Sequence, residues 1–251
     1  MQEETRRAYL ERMGIPVWVR REASPGASGE PVPAAAPSRR PPEPEAAGAA
    51  PAASLRHRAA TLDWTALEAA VRDCTACGLH AGRTQAVFGV GDRAADWLIV
   101  GEAPGAEEDR RGEPFVGRAG KLLDNMLAAI GLARDRVYIA NILKCRPPNN
   151  RDPLPEEVVA CEPWLHRQIA LIRPRIVLAV GRVAAQNLLH TDRPVGRLRG
   201  TCHFLELGAL RVPVVVTYHP AYLLRSPLEK RKAWQDLQRA RALYREARNE
   251  A

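Results

Sequence analysis

Four apolar runs of strand type divide the middle and end of this chain: Trp97–Val100, Val137–Ile142, Ile176–Val180 and Val212–Thr217. They show little alternation with polar residues, as strands buried on both faces do. Between them the apolar positions change to helical spacing. Leu122, Leu123, Met126, Leu127 and Ile130 mark a helix over Ala119–Ile130, with Gly131 as its stop. Pro155–Ile172 opens Pro-Glu-Glu, a favourable first turn. Arg182–Leu189 reads as a short helix and Pro227–Arg248 as the closing one. Ahead of them Trp64, Leu67 and Val71 predict a helix within Thr61–Cys74. Strands alternating with helices imply an α/β fold, a three-layer αβα sandwich around a central, mainly parallel four-stranded sheet.

In such sheets ligands bind beyond the carboxyl ends of the strands. Those ends read Gly101-Glu102-Ala103-Pro104-Gly105, Asn141, Gly181-Arg182 and His219-Pro220. Topology therefore gathers three polar side chains, Glu102, Asn141 and His219, on one rim.

The first sixty residues follow another pattern. Ala23 to Ser54 holds 8 of the chain's 21 prolines among Ala, Gly, Ser and Glu. Such a stretch buries too little to order itself, so residues 23–59 are expected to be a disordered linker. Residues 1–22 precede it, and RRAYLERMGIPVWVRR (Arg6–Arg21) reads either as a tethered docking peptide, with a replication or repair protein as the partner its resemblance implies, or as a segment that folds back on the domain. It is faintly similar to the N-terminal peptide of the psi subunit of the bacterial replicative clamp loader. The folded domain is expected over 60–251.

Charge adds a partner class. With 37 Lys+Arg against 29 Asp+Glu the 251-residue chain carries +8, and a basic surface favours nucleic acid. No run of about 18 apolar residues exists to span a membrane, and the N-terminus lacks the apolar stretch of a secretory signal. The expected setting is a reducing cytoplasm, where cysteines serve metals or catalysis. Cys74 and Cys77 form a C-x-x-C; Cys145 and Cys161 flank a Pro/Asn/Arg-rich loop. Four thiolates hold either zinc or an iron–sulfur centre, and Cys202 is left over.

The densest motif, GEAPGAEEDRRGEPFVGRAG (Gly101–Gly120), starts as a strand ends and leads into a helix. It lacks the Gly-Lys-Ser/Thr of a nucleotide P-loop. Phe115 within it is one of only three phenylalanines, either a core anchor or a stacking platform. HPAYLLRSP (His219–Pro227) follows the last strand. Read as a loop, it offers Leu223 and Leu224 as an apolar wedge and Arg225 as a phosphate contact. Arg225–Arg248 holds eight basic and three acidic residues, an electrostatic footprint for DNA.

Taken together, GEAPG with EED and PFVGRAG, the paired cysteines, Asn141 before LKCRPPNNR, and HPAYLLR resemble the family 4 uracil-DNA glycosylases over about Cys74–Leu243. The resemblance implies a monofunctional glycosylase that removes uracil from DNA to start base-excision repair. It implies a [4Fe–4S] cluster on Cys74, Cys77, Cys145 and Cys161. It places Glu102 and His219 in catalysis, and Glu102, Ala103, Pro104, Phe115, Asn141 and His219 around the uracil. Gly105 stands where the best-known uracil glycosylases use a tyrosine against thymine's methyl group, so exclusion falls to Glu108 or the Ala103–Pro104 backbone. A monomer acting on uracil-containing DNA is expected. The alternative is a non-catalytic iron–sulfur nucleic-acid-binding module. A relative that bonds covalently to its DNA is disfavoured, because Ala103 stands where that group has glutamine.

Overall fold

The computed structural model describes residues 49–249, and side chains from Ser54 to Arg248. The expectations for residues 1–22 and for most of the linker lie outside the described residues.

A six-stranded sheet carries the fold: β1 (Val90–Gly91), β2 (Trp97–Gly101), β3 (Tyr138–Asn141), β4 (Ile176–Val180), β5 (Cys202–Leu207) and β6 (Leu210–Thr217). The spatial order is β1-β3-β2-β4-β6-β5. The four strands expected from the apolar runs run parallel to one another. The two unforeseen strands pair antiparallel at the edges, β1 on β3 and β5 on β6. Their sequences explain why they escaped notice. β1 is two residues long, and β5 reads CHFLEL, a half-exposed edge with none of the continuous burial of the inner strands.

Alternate residues of each inner strand feed two separate cores. Leu98, Val100, Ala140, Val177, Ala179, Val214 and Val216 face the helices Trp64–Arg72, Pro155–Ile172 and Arg182–Leu188 through Leu67, Val71, Trp164, Leu165, Ile169 and Leu188. Trp97, Ile99, Ile139, Ile176, Leu178 and Val215 face the helices Arg118–Ala129, Pro220–Arg225 and Lys230–Asn249 through Leu123, Leu127, Leu223 and Leu237. This is the three-layer αβα sandwich, and it accounts for the missing polar alternation in the strands. Among the described residues no helix is long and apolar enough to cross a membrane.

One boundary moves. A helix over Ala49–Ala60 occupies the end of the stretch expected to be linker. Ala59 is buried and Arg56 pairs with Glu162 at 2.8 Å. Alanine explains the shift: a run rich in it has low complexity and also high helix propensity.

Candidate functional site

The strand order places β2 between β3 and β4, whose connections leave in opposite directions, and a cleft opens at their carboxyl ends. Its volume is about 760 Å³, and Glu102, Ala103, Pro104, Phe115, Asn141 and His219 all line it. Side chains that are up to 117 positions apart in sequence, Glu102 and His219, thus share one cavity.

Two glycines allow Phe115 into that cavity. A Cβ on Gly101 would lie 2.6 Å from the Phe115 ring and 2.4 Å from Asn141 Oδ1. A Cβ on Gly120 would lie 1.8 Å from the Phe115 carbonyl oxygen. The strand end and the next helix therefore close on Phe115 from both sides. Phe115 itself has φ +54°, an uncommon value for a non-glycine residue. Its ring lies 5.6 Å from the His219 ring at 30°, so two nearly parallel faces stand at the cleft wall.

Asn141 closes β3 and is 2% exposed. Its Oδ1 has no hydrogen-bond partner within the protein. A buried amide oxygen without a donor carries a free-energy cost that a bound ligand can relieve.

His219 caps the helix Pro220–Arg225, and its Nδ1 accepts a hydrogen bond from the Ala221 backbone N–H at 3.1 Å. Burial, assisted by the positive charge of Arg225, lowers its pKa to about 4 against a partial opposing pull from Glu108. The ring is therefore neutral near pH 7, and an accepting Nδ1 leaves its proton on Nε2. Glu102 moves the other way. Burial and then the Asp152 carboxylate raise its pKa, with Arg182 opposing. Arg182 and Asp152 pair at 2.5 Å on the cleft wall.

Glu108 anchors the loop that carries Phe115. Its Oε1 accepts from the N–H groups of Val116 (3.0 Å) and Gly117 (3.2 Å). Its Oε2 lies 2.6 Å from where a Cβ on Gly105 would stand. The carboxylate fills the space that the glycine leaves.

The expected wedge needs correction. HPAYLLR is a helix, Pro220–Arg225, rather than a loop. It turns Leu223 into the core, where it is fully buried, so Leu223 cannot enter DNA. The His-Pro start was the overlooked signal, a side-chain cap with proline at the first helical position. Leu224 is half-buried; Tyr222 and Arg225 are exposed and line the cleft. Tyr222 packs against Tyr218, ring centroids 5.1 Å apart.

On the opposite face of the sheet Cys74, Cys77, Cys145 and Cys161 line a single small cavity. Cys145 and Cys161 are buried, the other two half-buried. Three of the four sulfurs already accept N–H donors: Cys145 from Arg83 (3.1 Å), Cys161 from the Lys144 backbone (3.2 Å) and Cys74 from the Ala76 backbone (3.5 Å). Burial raises the thiol pKa values of Cys77, Cys145 and Cys161, the last to about 12. As free thiols they keep their protons, and bound metal displaces them. Among the described residues no His, Cys, Asp or Glu group closes on a point as ligands of a single ion do. A cubane cluster, in which each sulfur takes its own iron, does not require that. The donor set thus fits an iron–sulfur centre.

Two residues of this region carried no sequence signal. Arg83 also donates to the Cys74 carbonyl at 3.0 Å and to the Arg72 carbonyl. Lys144 is buried beside Cys145, and burial lowers its pKa to about 8; Cys161 and then Cys145 pull the other way whenever their sulfurs are ionised. One arginine among many, and a lysine in a polar loop, look like solvated charges until the chain is folded.

Residues 88–238 match the family model described as the uracil DNA glycosylase superfamily. The chain is 50% identical over 161 residues to a type-4 uracil-DNA glycosylase of Archaeoglobus fulgidus, covering 62% of this chain and 81% of the relative. It is 41% identical over 180 residues to a type-4 uracil-DNA glycosylase of Pyrobaculum aerophilum, covering 70% and 92%. It is 42% identical over 178 residues to a third, of Thermotoga maritima, covering 70% and 91%.

Proposed function

The chain belongs to the uracil DNA glycosylase superfamily, and from that premise we propose that it hydrolyses the N-glycosidic bond of uracil in DNA by means of the cleft built from Glu102, Phe115, Asn141 and His219. The observation that carries the reading is the arrival of these four side chains, from four separate stretches of sequence, in one cavity at the strand ends.

Uracil inside a duplex is out of reach, so the nucleotide turns out of the stack into the cleft. Phe115 offers a ring face to the base. The Asn141 amide both accepts and donates, matching the N3–H and O4 of uracil; its unpartnered Oδ1 supports this role. Cytosine presents the inverse pattern and leaves buried groups unpaired, which rejects it by energy rather than by size. Glu108 stands against C5, where the carboxylate beside Gly105 crowds thymine's methyl group.

Bond cleavage sends the C1′–N1 electron pair into the base and leaves an oxocarbenium-like sugar. The neutral His219 donates from Nε2–H to O2 as negative charge builds there. Glu102, its basicity raised by burial, takes the proton of the attacking water and stabilises the sugar cation electrostatically. Water oxygen bonds to C1′, and the uracil anion leaves and is protonated by solvent. Tyr222 and Arg225, which line the cleft, meet the flanking strand, with Leu224 between them in sequence. Among the described residues, the lining of the cleft contains no lysine, in keeping with a monofunctional glycosylase that leaves an abasic site.

Cys74, Cys77, Cys145 and Cys161 would hold a [4Fe–4S] cluster, a reading supported by the four-thiol cavity and its N–H···S bonds. The cluster, when bound, supplies cross-linking of the cysteine loops rather than redox chemistry in the cleavage. The chain acts as a monomer on uracil-containing DNA in the cytoplasm. The segment 6–21 recruits a replication or repair protein.

The test is uracil release from single-stranded and duplex oligonucleotides by the anaerobically purified protein. Release by wild type, lost in Glu102→Ala and His219→Leu, is the expected result. DNA binding without release would return the chain to the class of non-catalytic binding modules.

A further inference from the structure

Lys144 lies between the cysteine cavity and the base-recognition residue. Its side chain is only 1% exposed. The ammonium donates to the Asn141 carbonyl at 3.0 Å and to Gln168 Oε1 at 2.6 Å. Its backbone N–H donates to Cys161 Sγ at 3.2 Å, and Cys145 is the next residue. Gln168 is itself committed, donating to the Phe88 carbonyl at 2.9 Å and the Tyr138 hydroxyl at 3.2 Å.

Both acceptors of the ammonium are uncharged. A buried cation without a counter-charge is strongly destabilising. The anions adjacent to Lys144 are the sulfurs of Cys145 and Cys161, and these are negative when they ligate metal. The same residue thus donates from its ammonium to the carbonyl of the residue whose amide faces the cleft, and from its backbone N–H to one of the sulfur ligands on the other side.

We propose that Lys144 is a positioning residue that couples the two sites, held by the negative charge of the cysteine-bound cluster and in turn holding Asn141 in register for uracil. The proposal rests on the iron–sulfur reading above. It has two consequences. Removing the cation lowers the reduction potential of the cluster, because the more negative reduced state loses a compensating charge. Removing the cluster strands the cation and loosens Asn141, so base affinity falls although no cysteine touches the base.

The experiment compares wild type with Lys144→Met, a neutral residue of similar length, in the full-length protein. Metal analysis of wild type comes first: zinc without iron defeats the cofactor reading and this proposal with it. With iron present, the expected variant loses its broad visible absorption severalfold faster under a chelator and shows a lower reduction potential. Free uracil should inhibit it about tenfold more weakly, the loss expected for one misaligned buried hydrogen bond. The rise in KM should exceed the fall in kcat. A variant with wild-type potential and wild-type uracil inhibition overturns the coupling. Should Lys144→Met fail to fold, wild type stripped of iron decides the matter. Weakened uracil inhibition with retained far-ultraviolet circular dichroism supports the coupling, and unchanged inhibition overturns it.

Discussion

The imidazole of His219 accepts, through Nδ1, the backbone N–H of Ala221, two residues ahead, at 3.1 Å. That one bond fixes the tautomer, caps a helix and aims Nε2–H at the cleft. With a pKa near 4, the ring stays neutral throughout the neutral range.

The pH profile should therefore show no ionisation near 6.5, the ordinary histidine value. The acid limb of single-turnover excision should instead follow Glu102, displaced upward from the usual carboxylate range. Glu102→Gln should abolish that limb together with most of the rate, while His219→Gln should lower the rate and leave the limb in place. Stability obeys its own sign. The folded pKa of His219 lies below the unfolded one, so between pH 6.5 and about 4 the unfolded chain takes up a proton that the native ring refuses. The native state loses stability as pH falls through that window, at up to about 1.4 kcal/mol per pH unit. Denaturant midpoints of His219→Gln should fall less steeply there than those of wild type.

Gly101 is the second position where a small change should have a large effect. A methyl group would fall 2.4 Å from Asn141 Oδ1 and 2.6 Å from the Phe115 ring. Either both recognition groups move or the strand end does. Gly101→Ala should retain the fold with a loss of about 1–3 kcal/mol, the usual range for overpacking. Excision should fall by about a hundredfold or more, since misplacement by an ångström costs on that order. Thermal unfolding and single-turnover kinetics measure the two losses separately.

Asn141 should show stability and activity changing in opposite directions. Its buried oxygen lacks a donor in the free protein, and such a group costs about 1–3 kcal/mol. Asn141→Leu should leave the melting temperature unchanged or raise it, while excision falls at least tenfold and discrimination against cytosine narrows. A matched fall in stability and rate would show that the amide is a structural group.

Much of this site was legible before folding. The four inner strands stood out because burial on both faces writes a continuous apolar run, and their ends named Glu102, Asn141 and His219 through topology alone. The edge strands β1 and β5 stayed hidden, one too short and the other too exposed to leave that signature. Leu223 misled for a related reason: in a six-residue helix a single apolar position shows no period, so burial and exposure look alike in sequence. Arg83 and Lys144 were invisible because their importance comes from what surrounds them, four sulfurs drawn from three separate segments.

The cysteines make a spectroscopic prediction. Protein purified without oxygen should be brown, with broad absorption near ~400 nm, as thiolate-bound iron–sulfur centres are. Cys161→Ala removes the buried sulfur that accepts the Lys144 backbone N–H. It should bleach the protein and lower its melting temperature more than Cys202→Ala, which lies on the edge strand β5 away from the thiol cavity. Equal effects, or a colourless wild type with stoichiometric zinc, would contradict the assignment.

The C-terminal helix, Lys230–Asn249, divides its charges between two ends of the molecule. At its start Lys232 pairs with Glu229, near Tyr218 on the cleft wall. At its far end Tyr244 donates to Asp96 at 2.6 Å, and Arg175 donates to the Ala247 carbonyl. Asp96 and Arg175 immediately precede β2 and β4, so that end of the helix sits at the amino ends of the strands, opposite the cleft. Only the first turns, together with Arg225, are placed to meet DNA bound at the cleft. Neutralising Arg225 and Arg231 should reduce the slope of log affinity against log salt by about 1.4 on single strands and 1.8 on duplex, because each arginine neutralises one phosphate and releases its counterion. Neutralising Arg245 and Arg248 should leave the slope unchanged. Titrations across a range of ionic strengths read both variants directly, and a reversed order would mean that DNA crosses the other pole of the sheet.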